Sequence, residues 1–430
     1  MKIVEGFEEA KSILSRRTGE AEVDIDDKEQ VVRQIINDVR ARGDAALLDY
    51  TEKFDGVRLT SLEIDKSRVK QSSREIDTEL LSALKLAAER IASFHKTQKD
   101  SILRDSTGAG LGWLLRPLKR IGVYVPGFTA PLPSSLLMTV VPARVAGVEE
   151  VIIVTPPDSH GDVSPVILAA ADIVGVDRVF SVGGAQAIAA LAYGTETVPA
   201  VDKICGPGNI YVFLAKKLLY GVVGIDGLYG PSEVLIIADE MASPEYCAAD
   251  LLAQAEHPSA TAILLTTSRK LAGEVNREVE RQLAALQIQT VAAASLESRG
   301  MIAVLDSIDK AIELANLFAP EHLCLVVADA ASYIDKISSA GCLFVGENSV
   351  EVLVDYVAGP SHVLPTEGTA RFSSPLNVTD FVKFITLVRT DEADIEKLGR
   401  AASIIARAEG LDAHARAIEK RLEKKRKGES

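Results

Sequence analysis

Four short segments, far apart in the chain, each end on a side chain able to hold a metal or move a proton. They are Gln254-Ala255-Glu256-His257, Pro320-Glu321-His322, Asp355 with His362 seven residues on, and Glu409 followed by His414. The chain has six histidines, and four of them fall in these segments. Together they point to an enzyme that uses a metal and a general base on a small polar substrate.

Taken singly, each segment has a plainer reading. Gln254 and His257 stand three apart, with Pro258 behind them to stop a helix, so both should project from one face of its last turn. A cation is favoured at that end, and an amide oxygen with an imidazole suits zinc or another borderline divalent ion. The same pair also occurs in ordinary polar surface turns. Glu321 and His322 lie between Pro320 and the apolar run Leu323 to Val327, which places them where the chain enters a sheet edge. The adjacent carboxylate is expected to raise the histidine's pKa, and two such groups can divide acid and base roles. The alternative is a mutually satisfied pair at a strand start. Asp355 can ligate a metal or orient an imidazole, and His362 follows Gly359-Pro360-Ser361 on a loop, where functional residues concentrate. Glu409 and His414, alone, read as helix decoration.

Three glycine-bearing segments suit a nucleotide or another polar ligand: Tyr124-Val125-Pro126-Gly127, Gly183-Gly184-Ala185-Gln186 and Gly206-Pro207-Gly208-Asn209. The last two follow strands and open helices, which turns backbone N–H groups outward. Neither matches G-x-G-x-x-G, so by spacing alone each is a strand-to-helix turn. G-x-x-x-x-G-K-[ST], H-E-x-x-H and G-x-S-x-G are also missing from the sequence.

The elements that must position these residues follow a regular texture. Lys28 to Tyr50 and Ser73 to Lys99 carry apolar residues at helical spacing. From Arg120 apolar runs alternate with amphipathic helices. Val151 to Val154 reads as a strand, followed by a helix opened by Ser164 and Pro165, the strand Arg178 to Val182, the helix Gln186 to Tyr193 and the strand Val201 to Cys205. A second series runs through Val234 to Ile237, the helix Pro244 to His257, the strand Ala262 to Thr267 and a charged helix from Arg269. It ends with the strands Cys324 to Ala328 and Cys342 to Gly346. The last forty or so residues return to a charged helical pattern. The implied fold class is α/β, with two doubly wound, Rossmann-like domains flanked by helical N- and C-terminal arms. No internal repeat stands out.

Composition narrows the function classes. At 430 residues the chain exceeds one core, since a domain averages ~150 residues. Apolar residues at 47% and charged residues at 25% give a globular balance. Lys+Arg 47 against Asp+Glu 61 gives −14, which argues against a nucleic-acid surface. The cationic run Lys424 to Lys427 reads as a solvated helix end. The opening Met1-Lys2-Ile3-Val4-Glu5 is not a secretory signal. The charge-free stretch Ile121 to Ala143 contains four prolines, so it reads as a buried strand and loop and not as a membrane span. Cys205, Cys247, Cys324 and Cys342 show no paired spacing and read as small buried hydrophobes of a reducing compartment. A cytoplasmic enzyme with no membrane partner is the expectation.

In combination these segments resemble the histidinol dehydrogenase family, from about Arg116 to His414. The likeness rests on Gly183 to Ala192 (GGAQAIAALA), Gly230-Pro231-Ser232-Glu233-Val234-Leu235, Leu252 to His257, Ala319-Pro320-Glu321-His322-Leu323 and His362-Val363-Leu364-Pro365-Thr366. The resemblance implies a small-molecule substrate, L-histidinol, oxidised through L-histidinaldehyde to L-histidine with NAD. It implies one zinc ion per subunit held by Gln254, His257, Asp355 and His414, the last from the second subunit of an intertwined homodimer. Glu321 and His322 would be the catalytic pair, His322 as general base and Glu321 activating water. Ser232 and Glu409 would contact the substrate together with Gln254, His257, His322, Asp355 and His414, with His362 lining the pocket. Tyr124, Gln186 and Asn209 would contact NAD.

The corresponding division of the chain is an N-terminal arm at 1–25, a discontinuous metal-bearing α/β domain at 26–120 and 233–375, an NAD-binding domain at 121–232, and a helical region at 376–430 that reaches the partner. Four positions depart from the family's pattern: Phe128 where glycine commonly follows Pro-Gly, Tyr229 where a small residue precedes Gly-Pro-Ser, Val354 where glycine precedes the aspartate, and Ser361 where asparagine is frequent. None removes a ligand or a catalytic group. Two rival activities remain open on the residues alone. One is a related zinc- and NAD-dependent dehydrogenase of another small hydroxylated molecule, and the other is a zinc hydrolase in which the metal activates water.

Overall fold

The computed structural model describes residues 1–15, 25–106, 110–127, 131–287 and 289–426, with side chains to residue 423. Two compact units are present. The first comprises Met1–Lys99 and Leu118–Phe381, and the second Asp100–Pro117 and Val382–Ser430.

Strands β1 (Lys2–Glu5) and β2 (Leu111–Pro117) come first, followed by β3 (Arg120–Tyr124), β4 (Glu150–Thr155), β5 (Arg178–Ser181), β6 (Lys203–Cys205) and β7 (Gly224–Ile225). Next are β8 (Glu233–Ala238), β9 (Thr261–Thr266), β10 (Gly300–Val304), β11 (His322–Val326), β12 (Cys342–Val345) and β13 (Val382–Val388). The first unit holds two parallel sheets, of order β5-β4-β3-β6-β7 and β1-β10-β9-β8-β11-β12. Leaving β1 aside, both sheets follow one winding rule. The chain steps outward twice from its first strand, then crosses to that strand's other side and steps outward again. This topological repeat has no counterpart in the sequence, because the two halves share an order of burial and not a set of residues.

Buried parallel strands explain the apolar runs. In β8 the residues Val234, Ile236 and Ala238 point into one hydrophobic core, while Leu235 and Ile237 point into another on the opposite face. Leu264 and Ile302 join the first core, and Ile263, Leu265, Leu323 and Leu325 the second. A strand covered on both faces can carry no polar alternation. The five-stranded sheet buries Tyr124, Ile152, Val154, Phe180 and Ile204 against Val32, Ile35, Ile36 and Val39 of the helix Ile25–Arg42 and Ala46 and Leu47 of the helix Asp44–Asp55.

Several expectations need revision. The N-terminal segment is an integral part of the six-stranded sheet, with β1 paired to β10 in parallel register and the Met1 amine donating to Asn276 Oδ1 at 2.9 Å. The helices of residues 25–55 pack on the five-stranded sheet and not on the six-stranded one. Of Ile121 to Ala143, the second half is a helix, Pro133–Ala146, with Pro133 in its first turn and Pro142 inside, and it is buried almost throughout. A helix apolar on every side has no 3.6-residue period to read. Among the described residues no helix is long and apolar enough to cross a membrane. The four cysteines are free, three of them buried and Cys342 partly so.

The second unit contains an antiparallel ribbon of β2 and β13, then the helices Glu392–Ala408 and Asp412–Arg426. Asp391 and Asp394 form a capping box at the first of these, and Arg407 bridges to Asp412 and Glu419, each at 2.8 Å. The cationic run ends the last helix, and Lys427 lies outside the described residues.

Candidate active site

The Glu321-His322 pair stands at the amino end of β11, an inner strand between β8 and β12, and not at a sheet edge. Both residues are buried, at 6% and 4% exposure. Glu321 Oε2 accepts the Glu233 N–H at 2.9 Å, and Glu233 Oε2 accepts the Glu321 N–H at 3.3 Å. This reciprocal bonding locks two strand starts together. Burial pushes the Glu233 carboxyl up to about 7 and holds Glu321 well above the carboxylate range.

His322 behaves opposite to the expectation. Its neighbouring carboxylates do not raise its pKa, because burial dominates and lowers it to about 3, leaving the ring neutral. The Glu233 carbonyl lies 3.0 Å from Nδ1, and a carbonyl can only accept, so Nδ1 carries the proton and Nε2 the free lone pair. Glu351 Oε1 approaches Nδ1 at 3.3 Å, and Asp355 Oδ1 lies 3.9 Å from Nε2. That tautomer is the one a general base needs.

The candidate metal ligands gather beside this ring. The helix Pro244–Ala255 ends two residues earlier than expected, with Glu256 as its C-cap. His257 therefore follows the cap, its N–H donating to the Gln254 carbonyl at 3.1 Å, so both side chains leave from one turn. Gln254 is 2% exposed, and His257 is exposed, yet the surrounding protein holds the ring's pKa below its ordinary value. His257 lies close enough to depress the pKa of both His322 and His362. Asp355 stands on the short helix Glu351–Tyr356, and burial lifts its carboxyl to about 6. Its carbonyl accepts from His362 Nδ1 at 2.9 Å, which fixes that ring's tautomer too. Ser232 lies immediately before β8, its carbonyl accepting the Thr261 N–H at 3.0 Å.

Among the described residues eight buried side-chain polar atoms have no partner, and Gln254 Oε1, His322 Nε2 and Glu351 Oε2 are three of them. Unfilled lone pairs at these depths are costly unless a ligand meets them. Of the three, the Gln254 amide oxygen suits zinc, as do the His257 imidazole and the Asp355 carboxylate among the candidate ligands. No group of three His, Cys, Asp or Glu side chains among the described residues is arranged to hold a metal by itself. Glu409 caps the helix Glu392–Ala408 and His414 stands in the first turn of Asp412–Arg426, both exposed, in the second unit.

The other polar crevice opens at the carboxyl ends of β3 and β6, where the strand order reverses and α/β sheets take ligands. Tyr124 ends β3, and its hydroxyl accepts the Gly184 N–H at 3.2 Å. Burial raises that phenol to about 12. Gly206 has φ +107, and a Cβ there would overlap the Tyr124 carbonyl, so only glycine fits. Gln186 is 2% exposed, and its Oε1 is unpartnered. Asn209 caps the helix Ile210–Leu219, its Oδ1 accepting from Tyr211 and Val212, so only its amide N–H groups remain for a ligand. Tyr229 lines a small cavity with Gly206 and Lys216, whose ammonium lies 5.0 Å from the Tyr229 ring and 2.5 Å from Asp226. Phe128 lies outside the described residues. In the six-stranded sheet the equivalent reversal, between β8 and β11, is closed by Asp239, which accepts from Ala328 and Met241 at 2.7 and 2.9 Å. The candidate residues Glu233, Glu321 and His322 stand instead at the strands' amino ends.

The histidinol dehydrogenase family model matches residues 18–422. The chain belongs to the histidinol dehydrogenase family. A histidinol dehydrogenase of Dehalococcoides mccartyi (strain CBDB1) is 53% identical over 437 aligned residues, covering 98% of this chain and all of the relative. One from Deinococcus radiodurans is 52% identical, covering 92% and 91%. A crystal structure of histidinol dehydrogenase from Elizabethkingia anophelis superposes with a TM-score of 0.92 at 39% identity, covering 98% of each chain. Histidinol dehydrogenases are oxidoreductases of histidine biosynthesis, so the departures at Val354 and Ser361 sit within that framework. Val354 packs partly buried against the six-stranded sheet's core, and Ser361 donates to the Met138 carbonyl at 3.2 Å.

Sequence reading missed Glu233, Glu351 and Asp55. Glu233 opens a fully buried apolar run, a place where a charged residue is a signal in itself. Glu351 stands one helical turn before Asp355. Asp55 needs the fold. The helix Asp44–Asp55 starts beside the segment that follows the helix Gly184–Tyr193, with the Asp44 N–H donating to Glu196 at 2.8 Å. The two helices therefore run antiparallel, which carries Asp55 toward Gly184, and its charge is felt at Tyr124. Asp55 Oδ2 is buried and unpartnered, and burial raises the carboxyl from 3.8 to about 6. A carboxyl protonated more readily in the folded state is free of penalty below its unfolded pKa and costs stability as pH rises through the folded one. Asp55→Asn should therefore stabilise the ligand-free protein by about 1 kcal/mol at pH 8, after discounting for partial exposure, and by nothing measurable at pH 4. Thermal melts at the two pH values check this, and equal shifts at both would contradict it.

Proposed function

We propose that this chain catalyses the oxidation of L-histidinol, through L-histidinaldehyde, to L-histidine. Two NAD and one water are consumed, and two NADH and three protons are released. The observation that carries the reading is His322, a buried neutral imidazole with its Nδ1–H spent on a carbonyl and its Nε2 free, in the same region as the buried, unpartnered Oε1 of Gln254, an oxygen suited to zinc. The reading is supported by membership of the histidinol dehydrogenase family over nearly the whole chain.

In this reading Gln254, His257, Asp355 and, from the partner subunit, His414 hold one zinc ion. Zinc, when bound, anchors the amine and imidazole of the substrate and orients it. NAD, when bound against Tyr124, Gln186 and Asn209, accepts hydride. His322 Nε2 takes the hydroxyl proton as the first hydride leaves. Glu321, held near protonation by its burial against Glu233, receives a proton from water as that water attacks the aldehyde. Ser232 and Glu409 contact the substrate, and His362 lines its pocket.

A homodimer is supported by apolar side chains left exposed in the second unit, among them Leu111 at 70%, Phe384 at 59%, Val388 at 61% and Ile404 and Ile405 at 59% each. A two-stranded ribbon is marginal alone, and an apolar patch of this kind is a surface for association. The second copy of this chain is the partner that brings His414 to the site. A cytoplasmic location fits the free cysteines.

The test is NADH formation by the zinc-loaded protein across a panel of small alcohols. L-Histidinol should rank first, and a chelator should abolish the rate. Another alcohol ranking far above it would move the assignment to a different dehydrogenase, and turnover without any nicotinamide would move it to hydrolysis.

A further inference from the structure

We infer that Glu351 is a positioning residue for the general base, its carboxylate steadying the Nδ1 side of His322 while Nε2 receives the substrate's proton. This rests on the proposed role of His322 and adds a partner that role requires. When Nε2 takes the hydroxyl proton, the ring becomes an imidazolium in a site where the residue is only 4% exposed. The proton comes from the substrate's O–H, the hydride leaves for NAD, and the Nδ1 proton stays where it is. A carbonyl alone offers that cation a dipole; burial holds the Glu351 carboxyl well above the ordinary carboxylate range beside the neutral ring, and a cation forming 3.3 Å away is what favours its charged form.

The geometry singles out Glu351 from its neighbours. Its Oε1 lies 3.3 Å from Nδ1, beside the Glu233 carbonyl that takes the Nδ1–H at 3.0 Å. Glu321 is more distant, at 3.8 Å, and is engaged with the Glu233 N–H. Asp355 faces the other nitrogen, at 3.9 Å. Glu351 is only 4% exposed, and its Oε2 has no hydrogen-bond partner, so the side chain is not retained to satisfy the fold. The ring itself packs against Phe344 at 5.9 Å between centroids, with the Glu351 carboxyl on its Nδ1 side.

A double-mutant cycle on the zinc-loaded enzyme tests the inference. Glu351→Gln keeps the shape and replaces the carboxyl with an amide that cannot ionise when the imidazolium forms. It should lower kcat for L-histidinol by roughly 10- to 100-fold while leaving KM and zinc content near wild type. In the His322→Asn background the same change should cost nothing further, because its effect passes through the ring. Glu351→Asp, which keeps a carboxylate, should retain more activity than Glu351→Gln and guards against a misfolded variant. Wild-type kcat in Glu351→Gln, the same loss with and without His322, or zinc depletion like that of His257→Asn would each overturn the inference. Full turnover by His322→Asn would overturn the base assignment itself, whereas a slow His322→Asn beside an unimpaired Glu351→Gln would overturn only the role of Glu351.

Discussion

Replacing His322 with asparagine should lower turnover of L-histidinol by about a thousandfold while zinc content stays at one per subunit, the general-base contribution being on the order of 10²–10⁴. The division follows from what each nitrogen does. Nδ1 is committed to the Glu233 carbonyl, an interaction that the asparagine amide can replace in kind. Nε2 has no partner, and its loss removes the proton acceptor alone. His257→Asn should do the reverse, depleting zinc and abolishing turnover with it, since a second-row change is not at issue and a ligand is lost outright. Metal content by elemental analysis beside steady-state rates separates the two variants. Equal metal loss in both would collapse the distinction between ligand and base.

Mixing two inactive proteins should give an active one. His414 stands exposed in the second unit, on a helix whose neighbours include exposed Leu411, Ile404 and Ile405. If that helix serves the partner's site, a His414→Asn subunit has an intact pocket lacking an outside ligand, and a His322→Asn subunit supplies that ligand. Half of randomly reassorted dimers are mixed, and each carries one complete site, so about a quarter of wild-type activity should return. Denaturing and refolding the two variants together, against each refolded alone, makes the comparison. No recovery in a preparation shown to contain mixed dimers would place the whole site within one chain.

Much of this fold could be read from residues because parallel strands buried on both faces appear as uninterrupted apolar runs. Val234 to Ile237 and Val151 to Val154 are such runs, and each fell where it was expected. The helix Pro133–Ala146 was not legible, since burial on all sides erases the period by which a helix is recognised. The strand β1 was also hidden, four residues long and paired with a segment some three hundred positions away. In the site, the identities of Gln254, His257, Glu321, His322 and Asp355 were legible as segments. The sign of the His322 shift was not, because a carboxylate next in sequence suggests a raised pKa and only the folded chain reveals the burial that lowers it. Glu351 was silent for the related reason that a buried acid and a solvated one look alike in a sequence.

The stoichiometry of the reaction distinguishes a two-step oxidation most directly. Zinc-loaded protein given a limiting amount of L-histidinol and excess NAD should form two NADH for each L-histidinol consumed, with L-histidine as the product. Formation of a single NADH with free aldehyde accumulating, or of none at all, would contradict it.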